Sequence, residues 1–362
     1  MRFIKAKYEI WEPTECSSEN IIKSIERAAK VCYKSEGNIK EGSALPFVKS
    51  LIKRGHTSCL EHGSIYLKVD ETLLHYACID SQHFLKDPYI NFILKCKTYV
   101  ANKIDTFEDH RICGYYFCEN NELCFYTNAR FVYEKCPELF WDIILDRELP
   151  NYISLFTPKH NDPYRRQTVM FTSDQRITEE FIRHRIASPN KESTRYCCYS
   201  SDKHGGELTY IIPPKLKDYI NDNDVVDIVF YADKLKWKVN DKIIDNSDVE
   251  CLLTFYKDAE ETYNKLTTEF NWRAEEARIA LPLGVKADLI LTNSLVDWCF
   301  GRPEPVDKYI ADIDNNEAQG KRIKGFFGLR TDIAAHPQAR ELAIPLMDDF
   351  KNRDWLINEQ EN

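Results

Sequence analysis

The chain has 362 residues, 43% of them hydrophobic and 30% charged, which is an ordinary globular composition with room for a large core. A net charge of −9 argues against a general nucleic-acid binder, which carries a basic excess. No apolar run approaches transmembrane length and MRFIKAKYEIWEP lacks the apolar centre of a signal peptide. No membrane partner is therefore expected, and the predicted location is cytoplasmic. Thirteen cysteines, an odd number without a CxxC, predict reduced thiols rather than a disulfide framework.

In chain order, Phe3 to Trp11 alternates like a strand, and NIIKSIERAAKVCY places Ile21, Ile25, Ala28, Ala29 and Cys32 on one helical face. SALPFVKSLIKRG predicts a second helix stopped by Gly55. GHTSCLEH follows. Its His56, Cys59 and His62 resemble metal-ligand spacing without an evident fourth ligand, and a packed helix start capped by Thr57 or Ser58 is the plainer reading. IYLKVD is a strand candidate. The block from about 70 to 166 is too structured for a loop and reads as an insertion, with a hairpin turning at Glu119 to Glu122 and a helix near ARFVYEKCPELFWDIILD. Cys113, Cys118 and Cys124 within it give only a weak zinc pattern, so no metal is expected.

QTVMFTS predicts a strand leading into the helix ITEEFIRHRIAS, with Ser173 or Asp174 as cap. From Cys251 to Asn271, Leu252, Tyr256, Ala259, Tyr263, Leu266 and Phe270 recur at steps of a long amphipathic helix, a stripe suited to core or subunit packing. A shorter helix ends in ARIALPLG. A polar excursion at about 301–325 precedes the closing helix HPQARELAIPLMDDF.

Arg183-His184-Arg185, then Ser193 after seven intervening residues, then Arg195-Tyr196, concentrates cations and a hydroxyl in thirteen residues. At ~100° per residue His184 and Arg185 flank Phe181 on the apolar face, while Arg183 points away. An unpaired buried charge is costly, so an anionic group is expected to meet them. The plain alternative is a solvated basic patch paired to Glu179 and Glu180.

RHRIASPNKESTRY resembles the signature of the flavin-dependent thymidylate synthases: Arg-His-Arg, seven residues, Ser, then Arg-Tyr. CCYSSDKHGGELTYIIPP continues the likeness. Gly55, His56, Ser58, Glu61 and His62 match that family's Gly-His-x-[Ser/Thr]-x-x-Glu-His segment. Arg278 in ARIALPL matches its Ala-Arg-x-x-Leu-Pro, and Arg330 opens a segment similar to its Leu-Arg…His-x-Gln ending. The resemblance covers most of Ile21 to Val69, Val169 to Pro213, Ala277 to Trp298 and Phe326 to Ala343. Lys191 stands where members often have Glu or Gln, and Thr194 where some have Gly. Cys32 replaces a frequent serine, and Ser294 and Val296 stand near the usual flavin-side Asn and Arg.

The resemblance implies a single α+β domain with a central, mostly antiparallel sheet and long helices, elaborated by the two insertions. It implies binding of dUMP by Glu180, Arg183, Lys191, Glu192, Ser193, Thr194, Arg195, Arg278 and Arg330. FAD would be bound by His56, Ser58, Glu61, Arg183, His184, Arg185 and Ser294. NADPH and 5,10-methylenetetrahydrofolate are the implied co-substrates, in a homotetramer with active sites between subunits. Uracil C5 needs electron density pushed into its ring. With no cysteine in a Pro-Cys-His setting, an arginine stabilising the N3 anion suits the task, and Arg330 is the implied catalytic residue. No G-x-G-x-x-G points to a Rossmann pocket. An enzyme making another 5-substituted pyrimidine nucleotide, or an inactive nucleotide-binding homologue, remain alternative readings.

Overall fold

Strand β7 (Arg166–Asp174) sends alternate side chains to two different cores, and the fold follows from that division. The computed structural model describes residues 1–80, 86–101, 113–118, 122–184, 186–200, 206–221, 224, 226–299 and 325–355. β7 lies inside an antiparallel sheet with β2 (Lys7–Ile10), β13 (Lys286–Ser294) and β8 (Ser188–Lys191), in the order β2-β7-β13-β8. Arg166 stands opposite Ser294 in the register, and Met170 opposite Ile290.

Val169 and Phe171 join Leu289 and Leu291 on one face. There they meet α7 (Gln175–Ile182), α10 (Leu295–Cys299), α11 (Phe326–Arg330) and α12 (Pro337–Asn352). Phe326 is fully buried, its ring centroid 5.1 Å from Phe181 and 4.8 Å from Trp298. Burying such a ring stabilises by about 2–3 kcal/mol, and here it anchors α11 beside α7.

The opposite face packs Met170 and Ile290 against Ala28, Val31 and Trp11. Ala28 and Val31 belong to α1 (Ser18–Cys32), whose other side sends Ile21, Ile25 and Ala29 into a second core. That core is closed by α2 (Ala44–Lys53) and an antiparallel sheet in the order β4-β5-β3-β6, namely Cys113–Cys118, Glu122–Asn128, Ser64–Asp70 and Ile153–Leu155. Gly55 ends α2 as expected, at φ +73°, with His56 N bonding back to Leu51 O at 2.9 Å.

The block between β3 and β7 carries α3 (Glu71–Asp80), α4 (Pro88–Ala101), α5 (Ala129–Lys135) and α6 (Pro137–Ile144). β5 and β6 pair with the two edges of β3, so the block and α1 share one core. The single helix expected at ARFVYEKCPELFWDIILD is two, because Pro137 cannot continue α5 and starts α6 instead. The hairpin turn falls between Cys118 and Glu122, as expected. Residues 300–324, which hold nearly all of the polar excursion, lie outside the described residues.

A third core forms around Phe3, Tyr210, Trp237 and Tyr256. β1 (Arg2–Ile4) pairs in parallel with β9 (Thr209–Ile211), so the strand expected over Phe3 to Trp11 is split between two sheets. β10 (Val226–Tyr231), β11 (Lys234–Val239) and β12 (Lys242–Ile244) form a meander with two-residue turns at Ala232-Asp233 and Asn240-Asp241, all four at positive φ.

The long helix expected from Cys251 is α8 (Ser247–Asn264), which passes into a π turn at Lys265–Glu269. The wider turn shifts the helical phase, so Phe270 is 64% exposed instead of completing the buried stripe. α9 (Ala274–Ala277) and a 3₁₀ turn through Ala280 then lead to β13. Among the described residues no helix is long and apolar enough to cross a membrane.

Candidate active site

Asp174 ends β7 and caps α7, its Oδ1 accepting from Ile177 N at 2.8 Å. Arg176 is held between Asp174 (2.8 Å) and Gln338 (3.0 Å). α7 stops at Ile182 with Arg183 as its C-cap, six residues sooner than the sequence pattern predicts. Glu179 does not pair with Arg183 as the plain reading expects. It takes the ammonium of Lys191, and Glu180 takes Arg330.

Arg330 reaches Glu180 through both ends of its guanidinium. Nη1 meets the carboxylate, and Nη2 donates to the Glu180 carbonyl at 2.6 Å. Its side chain is only 12% exposed and stands 5.7 Å over the Phe181 ring. Burial pulls the Arg330 pKa down, the Glu180 carboxylate opposes that, and Arg183 adds to the depression. An arginine stays charged through such shifts. Nε of Arg330 has no hydrogen-bond partner among the described residues. Arg176, Glu179, Glu180, Arg183, Leu329 and Arg330 line an open cleft of 610 Å³.

A second group of cations stands on the loop after β8. Glu192 is buried and anchors that loop, accepting from Tyr199 Oη at 2.9 Å, Lys286 Nζ at 2.7 Å and Asp288 N at 3.2 Å. Ser193 N donates to Cys32 O at the end of α1, and Ser193 Oγ accepts from Arg195 N at 3.3 Å. Arg278 Nη1 comes to 3.5 Å from Thr194 Oγ1. Arg195 pairs with Glu275 at 2.7 Å. Both arginines are exposed.

The same loop meets the His56 segment. Tyr33 Oη and His56 Nδ1 are hydrogen-bonded, and Tyr196 packs 5.7 Å from the Tyr33 ring and 6.4 Å from His56. Thr57–His62 is a 3₁₀ turn with His56 at its N-cap, so neither Thr57 nor Ser58 caps it. Ser58 is exposed. Glu61 accepts from Arg130 Nη1 at 2.6 Å, and its carbonyl takes Arg166 Nη2 at 3.0 Å. His56, Cys59 and His62 diverge to Tyr33, Asn190 and Thr292, so the metal-like spacing does not converge on one point.

His184 is buried and Arg183 exposed, as the helical phase predicts, whereas Arg185 lies outside the described residues. The anion expected to meet a charged His184 is not required. Burial pushes its pKa down to about 4, leaving a neutral imidazole 5.9 Å from Phe326, with Nε2 unpartnered among the described residues. Ser294 Oγ is hydrogen-bonded to Asp297 at the start of α10. Lys286, Tyr199, Arg130 and Arg176 escaped sequence reasoning. Lys286, Arg130 and Arg176 act through partners distant in the chain, and Tyr199 through Glu192 seven residues before it across an irregular loop, so spacing reveals none of them.

Residues 151–300 match the family model described as thymidylate synthase complementing protein. That span includes Arg183, Ser193 and Arg278 but not His56 or Arg330. A flavin-dependent thymidylate synthase of Pyrococcus furiosus is 27% identical over 177 residues, 49% of this chain and 50% of that protein. The chain thus spans about half the length of this relative. Among solved structures, thymidylate synthase X from Helicobacter pylori with FAD and dUMP aligns at 16% identity and a TM-score of 0.30, covering 52% of this chain and 69% of that one. A UMP/dUMP methylase, PolB, from Streptomyces cacaoi bound with 5-Br dUMP aligns at 13% identity and a TM-score of 0.32, covering 97% and 91%.

Proposed function

We propose that this chain is a flavin-dependent thymidylate synthase, as its similarity over residues 151–300 and to the Pyrococcus furiosus protein supports, and that it methylates dUMP to dTMP, taking carbon from 5,10-methylenetetrahydrofolate and reducing equivalents from NADPH. The contact between Arg330 and Glu180 carries this reading, because it brings the closing segment of the chain onto the signature helix inside an open cleft. A guanidinium already fixed and largely desolvated stabilises developing negative charge without reorganising. Arg330 holds the anion at N3 of the pyrimidine, so that C5 gains electron density with no cysteine attack.

Ser193, Arg195 and Arg278 bind the phosphate through charge-assisted hydrogen bonds, with Thr194 and Lys191 at its margin. Arg183 and Glu180 face the nucleotide from the cleft. Glu192 is buried among Lys286, Tyr199 and the Asp288 amide, and it serves by fixing the main chain under Ser193.

The residues present fit a flavin. His184 is neutral with an Nε2 unpartnered among the described residues, Ser58 is exposed, and Arg183 offers an exposed cation at the cleft edge. His56, Ser58, Glu61, Arg183, His184, Arg185 and Ser294 would hold FAD, which when bound and reduced by NADPH would supply the hydride that completes the methyl group. The active sites lie between subunits of a homotetramer. Supporting this, Phe270, Trp272, Ile279 and Leu283 flank Arg278 and are 64%, 45%, 83% and 64% exposed, an apolar surface suited to a neighbouring subunit. The cysteines whose side chains are described are free thiols, which fits a cytoplasmic enzyme.

The test is NADPH oxidation dependent on dUMP, with and without added FAD and methylenetetrahydrofolate, and mass spectrometry of the product. dTMP formed only with the full set supports the proposal. Absence of dUMP-dependent oxidation in the full set overturns it.

A further inference from the structure

A second cavity, of 440 Å³, lies where residues 11–16, the first half of α1, the start of β3 and residues 157–168 meet. That size suits a ligand of mononucleotide dimensions. It sits against the α1 side of β7, whereas Arg330 and α7 pack on the other face of that strand. Its lining is rich in cations: Lys23, Arg27, His160, Arg165 and Arg166.

Arg165 is 4% exposed. Its Nε donates to His160 O and its Nη1 to Gln167 Oε1, both at 2.8 Å, and the Trp355 ring lies 4.5 Å from the guanidinium. These contacts fix the group without neutralising it. Its Nη2 has no hydrogen-bond partner, and no carboxylate lies within ion-pair distance of it among the described residues. Of the cavity's own carboxylates, Glu12 is already held by Arg353 at 2.8 and 2.9 Å, and Glu15 is exposed.

Two further buried groups of the lining, Trp11 Nε1 and His62 Nε2, also lack partners among the described residues. The Asp162 and Glu12 carboxylates act on Arg165 only from beyond ion-pair distance, so its buried guanidinium is incompletely compensated, and the unsatisfied polar groups beside it add to the cost. Such a set persists when a ligand completes it.

We propose that this cavity is a second binding site, distinct from the signature cleft, for a small oxyanion-bearing molecule whose phosphate or carboxylate is drawn to Arg165. The site adjoins the flavin segment: His62 Nδ1 hydrogen-bonds Thr292 at 2.8 Å, and Arg166 Nη2 contacts Glu61 O and Ser188 Oγ, both at 3.0 Å. The proposal does not depend on the assigned reaction.

The full-length protein is titrated with orthophosphate and, separately, citrate at constant ionic strength, reading the thermal unfolding midpoint, with chloride as control. A saturable rise is expected with at least one of them. Phosphate alone identifies a phosphorylated ligand, and citrate alone a carboxylate. Arg165→Met should weaken the apparent affinity by about tenfold or more, the loss expected for charge-assisted hydrogen bonds. Should that variant fail to fold, the double variant Lys23→Ala/Arg27→Ala must weaken the response instead. Arg278→Ala, which removes a phosphate-binding cation from the signature loop, should leave the Arg165-dependent part of the rise in place. No saturable response, an undiminished response in the cavity variant that folds, or a response lost in Arg278→Ala overturns the proposal.

Discussion

Arg130 Nη1 stands 2.6 Å from Glu61 Oε1, and this pair ties the block between β3 and β7 to the His56–His62 segment. The Arg130 Nε is engaged too, with Glu134 at 2.8 Å. Glu61 is therefore held from two sides, by Arg130 at its carboxylate and Arg166 at its carbonyl. Arg130→Met would leave a carboxylate that is only 18% exposed without its partner. A loss of about 1–2 kcal/mol is expected from urea unfolding, together with weaker retention of FAD on gel filtration. In the double variant Arg130→Met/Glu61→Gln much of the stability should return. An unchanged midpoint in Arg130→Met would count against the pair.

Arg330→Ala removes the fixed cation from the cleft while leaving Ser193, Arg195 and Arg278 in place. Turnover should fall by about 10²–10³-fold or more, the range for loss of one preorganised charge-stabilising group. dUMP should still bind measurably by isothermal titration calorimetry. Wild-type turnover in the variant would remove Arg330 from the chemistry.

Ser193→Ala tests the other end of the nucleotide. One charge-assisted hydrogen bond to phosphate is lost, so dUMP should bind about 10-fold more weakly. An unaltered dissociation constant would show that the hydroxyl does not face the phosphate.

Burial alone would raise the Glu192 carboxyl, but the Lys286 ammonium overcomes it and holds the group below its ordinary 4.5. Burial likewise lowers Lys286, and Glu192 with Asp288 returns it above 10.5. The carboxylate contributes stability above its unfolded value and loses it as pH falls through the lowered one. The ammonium contributes below 10.5 and loses it as pH rises through the raised value. Their stabilisation is therefore complete between those limits. Lys286→Met, which strands a buried carboxylate, should cost about 3–5 kcal/mol in denaturant unfolding at neutral pH. A cost under about 1 kcal/mol would mean the pair is not formed.

Burial holds His184 at about 4 and His62 at about 3, the latter helped by the Arg166 charge, against an ordinary 6.5. Both stay neutral in the fold while the unfolded chain protonates. Their contribution is full above 6.5 and is lost as pH falls, levelling only below the folded values. Each should add about 1.4 kcal/mol per pH unit to the acid-side slope of stability. His184→Leu should remove one such increment between pH 6 and 4.5, measured as unfolding free energy against pH. An identical slope would place His184 in water.

Local signals carried much of the fold. The Asp174 cap, the Gly55 stop and the α1 face of Ile21, Ile25, Ala28 and Ala29 are visible in sequence because each depends on neighbours within a turn or two. The Ala232-Asp233 and Asn240-Asp241 turns are equally local signals, standing between the short runs that pair as the meander over 226–244. The early end of α7 was not legible, because helix length there is decided by Phe326 and Arg330 arriving from the far end of the chain. Nor was the engagement of Glu61 with Arg130, or the isolation of Arg165, since both depend on contacts across separate sheets. Arg278 stands beside Thr194 in the fold, and the resemblance names both for one ligand. It could not reveal that Glu192 beside them is already saturated by partners within the fold.

Glu180 keeps Arg330 from being a bare positive trap. Chloride or a stray metabolite carboxylate entering the cleft would gain one attraction and suffer one repulsion of similar size. A guest that profits from both residues must present acceptor and donor atoms side by side. The carboxylate that shields the cation thereby turns simple anions away.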